Sequence, residues 1–492
     1  MFVRPAVIWR ACALVTLLVL VVIGGTAVYL ARSRMLPPII HVRWKPDVSF
    51  RDRVFTEDRY GLEYRWPHEG TTLVYELADA SAANIQALIA DPQVEDTEHI
   101  DRANLEVTAD SRRPEQQPAL AYSTQLLADS LRFWLPASLT VRDDGRSRDT
   151  AAAPLPAAAA EAANATEDDP DEDRAAVPRL ERSLTITSAD GATLEREQLI
   201  SFLWGGDGSP RSLPSVRASL SDRRFSQMQG LDHIERLRVP MEFDLLAQSY
   251  HFVPVTPRGR LVLFHGGHGD DFVNNQSLIG RFLSAGFDVA AFNMLLSGDT
   301  PRPDAELPRR GRVQLRTHDE LGQLRPPTGH PAKYFVEPVI VALNDLTQRY
   351  RFDRIAMVGI SGGGWVTTLA AAVDPRITDS FPVAGTYPLA IRTDRDRGDW
   401  EQWAPELYRQ TSYLNLYLLG SLGPGRQQLQ ILNTYDPCCF AGDRWRTYRE
   451  LVRSRVAAVG PGGFDVFGDA THREHAISPT ATDLILADLQ RP

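Results

Sequence analysis

From about residue 234 onward the chain alternates short apolar runs with segments of helical spacing. The apolar runs are RLVLFH at 260–265, FDVAAFN at 287–293, RIAMVGI at 354–360, SFPVAG at 380–385, QLQILN at 428–433 and GFDVFG at 463–468. Segments of helical spacing at 276–286 and 332–350 lie between them. Alternation of this kind predicts an α/β fold, with a doubly wound, mostly parallel sheet and helices on both faces. We therefore expect residues 234–492 to form one α/β domain.

A glycine-rich turn, GISGGGW at residues 359–365, joins one of these runs to an alanine-rich helical segment. It matches the pattern G-x-S-x-G, in which a strained strand-to-helix turn exposes a serine hydroxyl. Gly359 and Gly363 are small where strand and helix crowd together. The pattern predicts Ser361 as a nucleophile, and the alternative is a glycine-rich turn with an idle serine. The turn lacks both the G-x-G-x-x-G spacing and the P-loop lysine, which argues against nucleotide binding.

A serine nucleophile needs a base to take its proton and an acid to orient that base. The histidines after Ser361 are His472 and His475, and His475 precedes the Ser-Pro start of the last predicted helix. Asp436 stands at the end of an apolar strand. We predict Asp436 and His475 as acid and base, with Asp469 and His472 as the alternatives.

Backbone donors for a developing oxyanion are expected at two places. One is the N–H of Gly362, the residue after the nucleophile. The other is the loop HGGHGDD at 265–271, which follows an earlier strand and contains Gly266 and Gly267.

The same loop has a competing interpretation as a metal site. Its candidate ligands are His265, His268, Asp270 and Asp271. Their spacing matches no common zinc motif. We therefore expect an oxyanion loop or a structural turn, with no metal and no cofactor.

Taken together, residues 234–492 resemble the α/β-hydrolase family. The resemblance lies in HGGHG as oxyanion loop, GISGG as nucleophile turn, YDP as the end of the acid strand and HREHAIS as the histidine loop. It implies Ser361 as nucleophile, His475 as base and Asp436 as acid of a serine hydrolase. A carboxylic-ester hydrolase acting on a small ester or acyl substrate is the first expectation. His268 departs from the glycine found in esterases with an HGGG loop, so that lipase-like group is not assigned.

Two further features lie near these motifs. The aromatic-rich stretch within 395–425 is expected either to cap the site, as in many members of the family, or to be an ordinary packed helix pair. Cys438 and Cys439 are adjacent. They form either a strained vicinal disulfide or two free thiols.

The N-terminus begins with a short tail, residues 1–10. Residues 11–31 then form a run of 21 residues without charge, long enough to span a bilayer and longer than the core of a signal peptide. We predict a single-pass membrane anchor there. Flanking charges do not set its orientation. Because the run starts so near the terminus, we expect the catalytic domain on the extracytoplasmic side.

Three regions separate the anchor from the α/β domain. Residues 41–142 are predicted to be a mixed α+β region of unknown role, with a helix at 81–92. Residues 143–178 are rich in Ala, Pro and acid and are predicted to be a disordered linker. Residues 179–233 are expected to be a strand-rich extension, with a turn at Asp190-Gly191.

The net charge and the predicted chemistry limit the functions that this chain could have. The net charge of −10 argues against a nucleic-acid partner, which would need an excess of basic residues. A peptidase or amidase would use the same triad as an esterase. A non-catalytic binding module could keep the fold without the chemistry. Protein partners are not predicted by any motif.

Overall fold

A computed structural model of the chain describes residues 39–67, 71–79, 81–100 and 170–491. These residues fall into two compact units, with a division at Thr150. The predicted anchor at 11–31 and residues 101–169 lie outside the described part of the chain. Within that part, no helix combines the length and the apolar character needed to cross a membrane.

The first unit is a small sheet with two helices. Its elements are β1 (Ile39–Trp44), α1 (Phe50–Tyr60), β2 (Leu62–Pro67), β3 (Thr72–Leu77), α2 (Ala82–Ile89) and β4 (Val94–Ile100). The sheet is antiparallel with the order β2-β3-β1-β4. This order with this element sequence is the split βαβ arrangement.

The predicted helix at 81–92 is α2, and its start has a clear local cause. The Ser81 side chain accepts a hydrogen bond from Asn84 N at 3.3 Å, which satisfies one of the free N–H groups of the first turn. Leu88 of this helix is buried in the small core, together with residues of the sheet such as Ile40 and Tyr75.

The second unit contains the larger sheet. Its strands are β5 (Ser215–Arg217), β6 (Leu231–Pro240), β7 (Leu246–Pro254), β8 (Arg260–His265), β9 (Asp288–Phe292), β10 (Asp304–Leu307), β11 (Gly311–Gln314), β12 (Arg354–Ile360), β13 (Asp379–Val383), β14 (Gln427–Asn433) and β15 (Gly463–Asp469). Its helices are α3 (Pro170–Ser183), α4 (Ala189–Trp204), α5 (Gln276–Ser284), α6 (His318–Leu321), α7 (Lys333–Arg349), α8 (Gly362–Val373), α9 (Pro405–Gln410), α10 (Tyr413–Ser421), α11 (Arg446–Val459) and α12 (Pro479–Leu489).

The strands form a nine-stranded sheet in the order β15-β14-β13-β12-β8-β9-β7-β6-β5. The six strands from β15 to β9 are parallel, and β7, β6 and β5 continue the sheet by antiparallel pairing. Strands β10 and β11 form a separate hairpin. The predicted α/β fold with a mostly parallel sheet is therefore confirmed.

Helices cover both faces of the sheet, which explains why its strands are continuous apolar runs. Along β12, Ile355 and Met357 belong to the core that α3, α4, α7, α8, α10 and α11 share, while Ala356 and Val358 belong to the core under α5 and α12. Successive side chains of one strand thus enter opposite cores.

The strand-rich extension predicted at 179–233 was wrong in its first half, where α4 occupies 189–204. The Asp190-Gly191 pair, interpreted as a hairpin turn, lies in the first helical turn. Ser188 caps that turn, because its side chain accepts from Gly191 N at 3.0 Å. The cap and the burial of Leu199 and Leu203, four residues apart, favour the helix over the hairpin.

The disordered linker predicted at 143–178 was also wrong at its C-terminal end. Helix α3 begins at Pro170, and its side chains Ala176 and Leu180 are buried in the same core as α4. One buried alanine and one buried leucine suffice here, because neighbouring helices supply the remaining apolar surface.

The segment 395–425 was expected to be either a cap or a packed helix pair, and in the structure its first and last parts have different surroundings. Every residue of α10 is buried, and the helix packs against α8 and α11. The aromatic side chain of Tyr417 stacks on Phe464 of β15, with ring centroids 5.9 Å apart. Helix α10 is therefore part of the helical layer, and residues 399–401 reach the candidate site described below.

The buried face of α4 should stabilise the second unit. Leu199→Ala removes a fully buried side chain and is expected to lower the free energy of unfolding by about 2–5 kcal/mol. Leu194→Ala on the same helix is the matched control, because Leu194 is 54% exposed, and it should change that free energy by less than about 0.5 kcal/mol. Urea unfolding followed by tryptophan fluorescence measures both. Equal effects of the two substitutions would show that α4 does not pack as described.

Candidate active site

The candidate site lies where the direction of the chain across the sheet reverses. After β8 the chain continues to β9 on one side and then crosses to β12 on the other. Strands β8 and β12 are parallel neighbours, with His265 opposite Gly359 in the register. The loop after β8 and the turn after β12 therefore leave the sheet side by side, at the position where α/β sheets form crevices.

The turn after β12 holds Ser361 in a strained backbone conformation, with φ 57° and ψ −122°. A positive φ is unfavourable for a residue with a side chain, so the surroundings must maintain it. One support is the hydrogen bond from Ser361 N to Val383 O of β13, at 2.9 Å. Ser361 is only half-buried, although the helix that follows it is buried throughout.

Two glycines make this turn possible. A Cβ on Gly359 would lie 2.2 Å from Gly363 O, and a Cβ on Gly363 would lie 2.2 Å from His265 O. Both distances are far below any van der Waals contact. The small residues predicted on each side of Ser361 are therefore required by the crossing of the strand, the helix and the loop after β8.

The predicted base and acid are in direct contact. His475 Nδ1 lies 2.8 Å from Asp436 Oδ2, and Asp436 is completely buried. Because a carboxylate only accepts hydrogen bonds, Nδ1 carries the proton and donates it, which leaves Nε2 with its lone pair. His475 Nε2 is buried and has no hydrogen-bond partner among the described residues.

The alternatives, His472 and Asp469, have other roles in the structure. Asp469 accepts hydrogen bonds from Thr471 N at 2.9 Å and from the Ser478 hydroxyl. Burial alone would raise the pKa of Asp469, but the hydrogen bonds from Ser478 and Thr471 outweigh burial and lower it. His472 lies 3.7 Å from Asp469. Asp469 is thus held by the Ser478 cap of α12, and the shorter contact favours Asp436 and His475 as acid and base.

The adjacent cysteines hold the acid through their backbone. Asp436 Oδ1 accepts from Cys438 N at 2.8 Å and from Cys439 N at 3.4 Å. Both cysteines are free, so the vicinal disulfide left open by the sequence is absent from the structure. Burial raises the pKa of the Cys439 thiol. The turn therefore orients Asp436 without a covalent ring.

The three glycines expected as oxyanion donors differ in their availability. Gly266 N donates to Phe292 O at 3.0 Å and so belongs to the sheet. Gly267 is pressed against the nucleophile, because a Cβ there would lie 2.9 Å from Ser361 Cβ. Gly362 is the first residue of α8, whose N-terminal N–H groups favour negative charge. These contacts leave Gly267 and Gly362 as candidates and remove Gly266.

The loop after β8 is not the metal site considered from the sequence. The Asp270 carboxylate accepts from Asn275 Nδ2 at 2.8 Å. The Asp271 carboxylate accepts from Val273 N at 3.1 Å and from Asn293 Nδ2 at 3.0 Å. His265 is buried and its Nδ1 lies 2.8 Å from Gly266 O; burial lowers its pKa to about 4. The two aspartates and His265 thus stabilise the loop, and only His268 is directed elsewhere.

His268 belongs to a cluster that the sequence did not predict. Glu401 Oε1 lies 2.7 Å from His268 Nε2 and 3.0 Å from His318 Nδ1, and Asp399 Oδ2 lies 3.3 Å from His268 Nε2. Glu401 is fully buried. Burial alone would raise the pKa of Glu401, but the charge of His318 and the hydrogen bonds from both histidines lower it to about 2. The four residues come from three distant segments of the chain, so no local pattern could have joined them.

The cluster contacts the candidate oxyanion site directly. A Cβ on Gly362 would lie 2.5 Å from His268 Cε1 and 2.7 Å from His268 Nδ1. The imidazole of His268 therefore lies against the residue that follows the nucleophile. Glycine at position 362 leaves room for this ring.

Solved structures similar to this chain are α/β-hydrolase esterases and peptidases. Acetyl xylan esterase from a Paenibacillus species is 17% identical over 64% of this chain and 98% of its own, with a TM-score of 0.38. Acetyl xylan esterase 1 from a Thermoanaerobacterium species is 13% identical over 64% of this chain and 98% of its own, with a TM-score of 0.41. An acylaminoacyl peptidase from Pyrococcus horikoshii is 15% identical over 55% of this chain and 43% of its own, with a TM-score of 0.37.

No protein-family model matches the chain. No curated protein matches its sequence. Identities as low as those of the solved structures leave the reaction to be inferred from the residues of this chain.

The crossing at Gly363 gives a test of the site architecture. Gly363→Ala is expected to lower the free energy of unfolding by about 1–3 kcal/mol, because the added methyl group overlaps His265 O. Gly280→Ala is the matched control, since Gly280 is also helical but a Cβ there meets nothing within 4 Å. It should raise that free energy by up to about 1 kcal/mol through helix propensity. Thermal unfolding of both variants measures the difference, and a stabilised Gly363→Ala protein would contradict the close approach.

Proposed function

We propose that the second unit is a serine hydrolase that cleaves small carboxylic esters through an acyl-enzyme. Ser361 is the nucleophile, His475 the general base and Asp436 the acid that orients it. The observation that carries the proposal is the 2.8 Å hydrogen bond between His475 Nδ1 and Asp436 Oδ2, which leaves Nε2 as an unpaired base. The strained, partly exposed backbone of Ser361 supports the same assignment.

In this mechanism His475 Nε2 takes the proton of Ser361 Oγ as the oxygen attacks the carbonyl carbon of the ester. The carboxylate of Asp436 stabilises the imidazolium that forms. The tetrahedral intermediate then collapses, and the imidazolium gives its proton to the departing alkoxide. Water, activated by the same histidine, hydrolyses the acyl-Ser361 ester and regenerates the free enzyme.

The oxyanion of the tetrahedral intermediate needs donors that are in place before the reaction. We assign this role to the backbone N–H groups of Gly362 and Gly267. Gly362 adds the positive end of the α8 dipole. Gly267 contributes from the loop after β8, whose backbone packs against the turn that holds Ser361.

An ester is placed before an amide because an alkoxide departs with less help from a general acid than an amine does. A peptidase or amidase of the same triad and a non-catalytic binding module are the competing functions. Both are outcomes of the experiment that follows.

The triad is tested with a fluorophosphonate probe and a panel of ester and amide substrates. The probe should label Ser361 in the wild-type chain, as located by mass spectrometry, and label neither Ser361→Ala nor His475→Ala. Asp436→Asn should lower kcat for ester hydrolysis by roughly 10⁴-fold, because the imidazole loses its orientation and its tautomer. His472→Ala is the matched histidine control and should retain labelling.

Each failure of this experiment has its own meaning. A folded wild-type chain that neither reacts with the probe nor hydrolyses any substrate would favour the binding module. Hydrolysis of amides in preference to esters would favour the peptidase. Loss of labelling in His472→Ala but not in His475→Ala would reassign the base.

We also propose that residues 11–31 anchor the chain in a membrane, with the hydrolase on the extracytoplasmic side. The support is the uncharged run of 21 residues. The full chain should stay in the membrane pellet after alkaline carbonate extraction, and a chain lacking residues 1–38 should be released. Protease added to cells whose cytoplasmic membrane is intact, but whose outer layers have been made permeable, should digest the hydrolase unit. Release of the full chain by carbonate would overturn the anchor.

A further inference from the structure

We propose that His268, His318, Asp399 and Glu401 form a zinc site beside the nucleophile. Three separate segments meet there: the loop after β8, the first residue of α6 and the turn before α9. One ligand atom of each residue lies within 4.8 Å of all the others. Metal binding does not depend on the proposed hydrolase function, whereas its effect on catalysis rests on it.

The spacing of the four atoms suits a tetrahedral zinc ion. Zinc bound to nitrogen and oxygen at about 2.0–2.1 Å separates its ligand atoms by about 3.3 Å. Asp399 Oδ2 lies 3.3 Å from His268 Nε2 and 3.5 Å from His318 Nδ1. Glu401 Oε1 lies closer, at 2.7 Å and 3.0 Å from the same two nitrogens. A small outward shift of the Glu401 carboxylate would complete the geometry.

Glu401 supplies a second, independent observation. Its side chain is fully buried, and its Oε2 atom has no hydrogen-bond partner within the described part of the chain. A buried carboxylate oxygen without a partner is costly, so native structures rarely keep one. A divalent cation bound to Oε1 would offset the charge of this carboxylate and so lower the cost of leaving Oε2 without a partner.

The orientation of His318 is also that of a metal ligand. Its Nε2 lies 3.1 Å from Leu295 O, to which it can only donate. A histidine that binds a metal through one nitrogen commonly donates the other N–H to a backbone carbonyl, which fixes the tautomer. His318 Nδ1 then faces the two carboxylates, and the proton it donates to Glu401 would be released when a metal ion takes its place.

The ligand set selects zinc among the common divalent cations. Two imidazoles and two carboxylates form a borderline set that suits zinc, whereas magnesium and calcium prefer oxygen ligands alone. The two carboxylates carry two negative charges, which one divalent cation neutralises. Two of the four ligands, His318 and Glu401, are buried and His268 is half-buried, so water reaches the site mainly from the side of Asp399.

The site would act by positioning. The ring of His268 lies against Gly362, whose N–H is a proposed oxyanion donor. A zinc ion on His268 Nε2 would fix this ring and join the loop after β8 to the turn that carries Asp399 and Glu401. The four residues fill a four-coordinate site, so no coordination position is left for a metal-bound water that could replace Ser361 as the nucleophile.

The test measures metal in the full-length chain, purified in detergent without chelators. Elemental analysis should find about one zinc per chain. After removal of the metal, competition titration with Zn²⁺ should show that Glu401→Gln and Asp399→Asn each weaken binding by more than about 100-fold, above the loss expected for an outer partner. Glu406→Gln, on an exposed residue, and His233→Gln, on a partly exposed one, are the matched controls and should bind as the wild type does.

Two further arms separate the alternatives. Cys438, Cys439 and His475 form a second cluster able to hold a metal, so a Cys438→Ser/Cys439→Ser chain must keep its zinc. Co²⁺ bound in place of zinc should give the visible spectrum of a four-coordinate site. Removal of zinc should lower ester hydrolysis by roughly 10–100-fold without abolishing probe labelling at Ser361.

The proposal is overturned by any of three results. In the first, the wild-type chain binds Zn²⁺ no more tightly than Glu401→Gln does. In the second, Asp399→Asn binds Zn²⁺ as tightly as the wild type does; this variant should fold, because Asp399 is half-exposed. In the third, the Cys438→Ser/Cys439→Ser chain loses its zinc. In each case the cluster is an ion-paired network of histidines and carboxylates, and the serine-hydrolase proposal stands or falls separately by its own labelling experiment.

Discussion

The close approach of two backbones beside Ser361 is the constraint on which the candidate site depends. The loop after β8 touches the first turn of α8 so tightly that a single methyl group on Gly363 would overlap the carbonyl of His265. This contact exists because β8 and β12 are parallel neighbours that end at the same edge. It places Gly267 against Ser361 and His268 against Gly362, so the sheet register determines the position of the two proposed oxyanion donors.

Much of the fold and of the candidate site could be predicted from the sequence, because burial and close packing restrict the residue types at neighbouring positions. Strands buried on both faces must be apolar throughout, and that made the runs at 260–265 and 354–360 recognisable. The turn around Ser361 needs glycine on both sides, and the pattern of small residues shows it. Asp436 and His475 were found by their order and their positions at strand ends, and the structure places them in hydrogen-bond contact.

Other features depend on contacts between distant residues and left no local pattern. Gly266 and Gly267 are equivalent in sequence, yet one donates to Phe292 O and the other faces Ser361. The stretch before residue 204 contains β-branched residues and an Asp-Gly pair, both of which favour a hairpin. Its helix is decided by the Ser188 cap and by the core that covers Leu199.

The burial of Glu401 shows that the cluster beside Ser361 is coupled to the packing of the segments around it. A fully buried carboxylate loses several kcal/mol of hydration, and one left without a partner would destabilise the turn that carries it. Its partners lie 133 and 83 residues away in the chain, on the loop after β8 and on α6. The packing of the turn at 399–401 therefore depends on contacts with both histidines. Whatever neutralises Glu401, a charged His318 or a metal ion, thus also fixes the loop that contains Gly267, one of the proposed oxyanion donors.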